Sequence, residues 1–184
     1  QVLSKIKNLL NVYKDHITVP WRDDIAAAQR VIFCVYSEAE ERTLRTKIEE
    51  FELVTTQNNH NWCVFDFTDT FSKWLSDQKY AKSYYQKPNL LSTLLPKKYL
   101  EYLENEFTQF LESNNANTNS VVALSGLGSL YGFVKIKDLV DKFAPKVSGR
   151  LLVFFPGSYE NNNYRLLDGY DGWNYLAVPL TADK

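Results

Sequence analysis

The segment Ser125-Gly-Leu-Gly-Ser-Leu-Tyr-Gly132 holds the residues best suited to ligand chemistry. A glycine-bearing loop between a strand and a helix can turn its backbone amides towards a phosphate. Gly126, Gly128, Ser129 and Tyr131 are therefore the candidate ligand-loop residues. The loop has no GK[ST] ending, so it offers no lysine for the β and γ phosphates and no hydroxyl for magnesium. Tyr131 also stands where a dinucleotide fingerprint has its third glycine. Glycines equally serve a tight turn where a helix crosses a sheet edge, so a degenerate nucleotide or phosphate site at 126–132 and a plain structural turn both stay open.

The remaining reactive side chains do not assemble into a catalytic pattern. Asp66 and Asp69 follow an apolar run, where carboxylates can hold magnesium, yet a helix cap and solvent contact explain them as well. His16 and His60 have neither a HExxH arrangement nor a cysteine neighbour, and neither Ser125 nor Ser129 lies in a GxSxG elbow. No catalytic residue, metal or cofactor is assigned. The interleaved Lys79-Tyr-Ala-Lys-Ser-Tyr-Tyr-Gln-Lys87 could stack bases, but Tyr80 and Tyr84 are four apart and pack together on a helix at less cost.

A second candidate site is the stretch from Pro156 to Tyr175. Tyr159, Tyr164, Arg165, Tyr170 and Trp173 lie there among Asn and Gly, and rings and arginine on turn-rich loops are the usual carriers of binding energy. These five are the candidate partner-interface residues, with simple coverage of a sheet edge as the other reading.

The elements that position these residues follow from periodicity. Leu3, Ile6, Leu10, Tyr13 and Ile17 predict an amphipathic helix over 2–17, packed on a single α/β domain spanning 1–184. Short apolar runs at 31–36, 62–67, 121–124 and 151–155 read as buried parallel strands, with a last strand at 175–178. Ser37 and Glu40 form a capping-box pattern ahead of a helix carrying Leu44, Ile48 and Phe51. Thr68 or Asp69 caps the next helix, Pro96 begins another, and Ile136 to Phe143 is a short one. Pro156-Gly157 turns the chain out of the sheet. Strands alternating with helices predict an open, mostly parallel sheet with helices on both faces, Rossmann-like or degenerate P-loop-like.

Composition sets outer bounds. The chain has 184 residues, 45% hydrophobic and 23% charged, which suits a globular core. A net charge of −1 gives no field for phosphate backbones or anionic lipid, so direct nucleic-acid binding is not expected. Apolar runs far shorter than about 20 residues exclude a conventional membrane helix, and the first residues do not read as a secretory signal, so the cytoplasm is the expected location. Cys34 and Cys63 lie inside apolar runs, as buried reduced thiols do.

Val121 to Ile136, Leu151 to Tyr159 and Asn174 to Leu180 together resemble the C-terminal half of the BrxB family of bacteriophage-exclusion (BREX) systems. The strand at 31–36 with its acidic, arginine-bearing helix start, and Asp66-Phe-Thr-Asp69, extend the resemblance to about residues 28–180. Three positions depart from it: Gly132 replaces the usual proline, Lys137 a serine or histidine, and Ser158 a glutamate, removing an acidic group from beside the loop. The resemblance implies a small accessory protein of phage defence, acting with a PglZ-like phosphatase-superfamily partner and carrying no enzymatic activity or cofactor of its own.

Overall fold

Burial on both sides governs the middle of this molecule: all six residues of the first strand and all six of the third are buried. The computed structural model describes residues 4–77, 89–167, 169 and 172–183. Helix α1, Lys5–Ile17, is capped by Ser4, whose Oγ accepts from Lys7 N–H at 3.2 Å. Then come β1 (Val31–Tyr36), α2 (Glu41–Gln57), β2 (Asn61–Asp66), α3 (Thr70–Ser76) and α4 (Asn89–Ser113). The chain continues through β3 (Ser120–Ser125), α5 (Ile136–Phe143), β4 (Arg150–Glu160), β5 (Asn163–Leu166) and β6 (Val178–Leu180). No helix among the described residues is long and apolar enough to cross a membrane.

The sheet runs β2-β3-β4-β1-β6, every neighbouring pair in that order is parallel, and β5 folds back antiparallel on the far half of β4. The crossover from β1 to β2 travels one way and those from β2 to β3 and β3 to β4 travel back. Right-handed crossovers therefore place α2 on one face and α4 and α5 on the other. Alternation along the strands supplies a core to each face. Ile32, Cys34 and Phe154 meet Leu9, Tyr13 and Phe51 of α1 and α2. Phe33, Leu124 and Phe155 face the side held by Leu103, Phe107 and Phe143, where the Phe107 and Phe143 rings stack at 4.0 Å. The diverging connections open a crevice at the strand C-terminal ends, where ligands bind in open α/β sheets.

Several local expectations shift. Ser37 makes no capping bond; the chain takes a 3-10 turn over Glu38–Glu40 and α2 starts at Glu41. Pro96 lies inside α4 and does not begin it. The fourth strand does not end at Pro156: it continues to Glu160 because Arg165 O approaches Gly157 where any Cβ would sit. The last strand is Val178–Leu180, and Pro179 is tolerated there because β6 is an edge strand that pairs, among the described residues, with β1 alone. The Lys79 to Lys87 stretch lies outside the described residues.

Candidate functional site

The glycine loop sits on the C-terminal crest of β3, as a ligand loop would. Gly126 has φ +73° and starts a 3-10 turn over Leu127–Leu130. The reason for that glycine is a neighbour. Thr68 N–H and Oγ1 both donate to Asp66 Oδ1, at 2.9 and 2.6 Å, closing a turn after β2. A Cβ on Gly126 would fall onto that carboxylate oxygen and lie 2.6 Å from Thr68 Oγ1. Ser129 Oγ donates to Gly126 O at 2.7 Å and lies 3.1 Å from Phe67 O, so this hydroxyl is committed to carbonyls. Gly128 is different: its nearest Cβ neighbour would be Leu167 Cδ2 at 4.0 Å.

A hollow of about 320 Å³ beside the loop is lined by Glu38, Glu41, Arg45, Thr68, Gly128 and Pro156, among others. Arg45 is spoken for on three sides. Its Nε lies 3.3 Å from Glu41 Oε1, its Nη2 donates to Thr68 Oγ1 at 3.0 Å, and its Nη1 is 3.9 Å from Asp66 Oδ2. Tyr36 OH donates to the other Glu41 oxygen, and burial, reinforced by Glu41, holds that phenol well above the ordinary tyrosine range. Two carboxylates, Glu41 and Asp66, flank one guanidinium, and Glu38 lines the same hollow. Their negative field opposes a polyphosphate at this hollow.

A larger recess lies where the loop ends. It holds about 630 Å³ between the segment from Tyr131 to Asp138 and a wall of Leu166, Gly169, Gly172 and Trp173. An adjoining hollow of about 310 Å³ shares Gly132, Val134, Lys135 and Asp138 and reaches Pro96 and Leu100 on α4. Tyr131 is 48% exposed and forms one lip, and a Cβ on Gly169 would meet its ring at 3.5 Å. Trp173 forms the other lip. Its backbone exchanges two hydrogen bonds with Tyr164, at 2.7 and 3.0 Å, and its ring packs beside Phe33, Phe155, Tyr164 and Tyr175. Lys135 and Lys137 are exposed at the start of α5.

Two residue sets expected to act separately therefore meet at one place. Tyr131 of the glycine loop and Trp173 of the aromatic stretch line the same recess. The other interface candidates divide. Arg165 is exposed and Tyr159 is half-buried, its OH donating to Asn162 Oδ1 at 3.1 Å. Tyr164 is a correction: it is fully buried among Phe33, Phe155, Tyr159 and Trp173, because alternation along β5 turns Asn163 and Arg165 outward and Tyr164 inward. Its hydroxyl has no hydrogen-bond partner among the described residues. Tyr170 lies outside the described residues. The lining residues that sequence reasoning did not assign to a site are Val134, Lys135, Lys137 and Leu166; Lys137 stood out only as a departure from the family pattern, and the others only by position between loop and helix or within the hairpin.

The opposite end of the sheet carries a stack of its own. Trp21 lies flat on His60 at 3.7 Å with Arg150 over its ring at 4.7 Å, and Arg150 donates to Gly149 O and Arg22 O. His16 is held below the ordinary histidine range, first by burial and then by Arg150. Cys34 is fully buried, and burial pushes the Cys63 thiol up to about 11, so both rest as thiols.

Comparison with protein families gives a match to the BrxB family, described as BREX protein BrxB, over residues 65–179, more than half of the chain. The matched stretch contains the glycine loop, α5, the β4–β5 hairpin and Trp173, which together build the recess. Neither the curated proteins nor the solved structures contain a match.

Proposed function

As the chain belongs to the BrxB family and is a component of a BREX phage-defence system, we propose that it acts there as a non-catalytic binding subunit for a PglZ-like phosphatase-superfamily partner. The observation that carries this reading is the recess between Tyr131 and Trp173. It pairs an exposed ring with a rigidly held indole and two exposed lysines, the mixture of aromatic anchors and charge on which interface energy concentrates. The side chains with chemical potential serve structure instead. Ser129 holds the loop closed, Asp66 holds the following turn, and Arg45 is matched by Glu41 and Thr68.

Co-expression with the PglZ-like protein of a BREX locus tests the proposal. The two proteins are expected to co-purify, and the double substitution Tyr131→Ala with Lys135→Glu is expected to separate them. Both sites are exposed, so the melting temperature should stay within about 2 °C. Failure of the unmodified chain to co-purify removes the partner, and intact co-purification of the double variant removes the recess. Saturable micromolar binding of ATP in calorimetry would return the glycine loop to candidacy as a ligand site.

A further inference from the structure

We propose that two copies of this chain associate edge to edge through β2, the strands running antiparallel about a two-fold axis that passes beside Cys63. In the sheet order β2 is an edge, with β3 on one side and no pairing strand among the described residues on the other. Asn61 N–H and Phe67 N–H donate towards β3, so by alternation Trp62, Val64 and Asp66 turn their backbone groups outward. Such a row is a template for another strand. Sheets usually blunt it with proline, lysine or a bulge, and Asn61-Trp-Cys-Val-Phe-Asp66 has neither a proline nor a basic residue and pairs with β3 in unbroken register. Its four central side chains are apolar and only partly buried.

The occupant is a second copy because the strand complements itself. In an antiparallel pair, opposed residues share a face, so a two-fold axis must match odd with odd and even with even positions. Centred on Cys63, the pairing sets Trp62 against Val64 of the second copy, both on the α1 and α2 face. Cys63 meets its own copy on the α4 and α5 face. Asp66, the one formally charged side chain of the strand, then falls beyond the paired stretch of 61–65, whereas a register centred on Val64 would set the carboxylate against Trp62. A net charge of −1 per chain adds little repulsion.

The test uses the full chain. Light scattering across micromolar concentrations should show the mass moving from monomer to dimer, and Val64→Pro should hold it at monomer. That substitution removes an outward N–H that β3 does not use, so the fold should survive. Copper phenanthroline supplies an independent reading on the unmodified strand: two Cys63 thiols give up two protons and two electrons to copper(II) and form an interchain disulfide. The cross-link should vanish in Cys63→Ser and persist in Cys34→Ser. A chain that stays monomeric, or a dimer that either survives Val64→Pro or forms no Cys63 cross-link, overturns the proposal.

Discussion

Replacing Gly126 by alanine is the substitution whose cost the structure specifies most closely. Its φ of +73° is a left-handed conformation that charges an L side chain about 1–2 kcal/mol. The new Cβ would also displace Asp66 Oδ1 from the turn where it accepts from Thr68 N–H and Oγ1, two bonds worth about 1 kcal/mol each. The sum is about 3–4 kcal/mol, or roughly 6–16 °C of melting temperature for a domain of this size. Gly128→Ala is the matched control two residues on, where the Cβ would meet only Leu167 Cδ2 at 4.0 Å. It should leave stability unchanged within about 0.5 kcal/mol or raise it slightly by stiffening the unfolded chain. Thermal melting followed by circular dichroism reads both. Equal losses at the two glycines, or a Gly126→Ala protein melting with the parent, would refute the account of the loop as a turn shaped around Asp66.

Tyr164→Phe removes a buried hydroxyl that has no partner among the described residues and should leave the melting temperature unchanged or higher, while Tyr164→Ala should cost about 3–5 kcal/mol by emptying the aromatic cluster. An urea titration of both variants checks this, and a Tyr164→Phe protein as weak as Tyr164→Ala would show that the hydroxyl does have a partner. Burial and Arg150 hold His16 below its unfolded value of 6.5, so protonation favours the unfolded chain. Stability is therefore full above that value, declines as pH falls through it, and levels off below the folded value. His16→Gln should flatten stability measured between about pH 7 and pH 5, and an unchanged pH slope would remove His16 as its source.

How much of this could be read from the sequence depends on the range of the deciding interactions. Val31–Tyr36, Val121–Leu124 and Leu151–Phe155 were legible because a parallel strand buried on both faces must be apolar throughout. The proline signals misled because their rules are local. Pro96 is carried inside a helix, and Pro156 inside a strand whose next residue, Gly157, lets Arg165 O come close. Tyr164 could have been placed in the core, since Asn-Tyr-Arg-Leu already shows the period of two that turns the tyrosine inward. The recess could not. It exists because the end of the glycine loop and the aromatic stretch, some forty residues apart, meet across the sheet crest, and strand order alone decides that meeting.

The most direct measurement is a binding titration of the PglZ-like protein against the unmodified chain and against Tyr131→Ala with Lys135→Glu, by calorimetry, with melting temperatures recorded alongside. A pair of anchors at the centre of an interface is worth about 2 kcal/mol or more, so the Kd should rise at least about 30-fold. The melting temperature should hold, because both side chains are exposed. An unchanged Kd with an unchanged melting temperature would contradict the assignment of the Tyr131–Trp173 recess as the partner site.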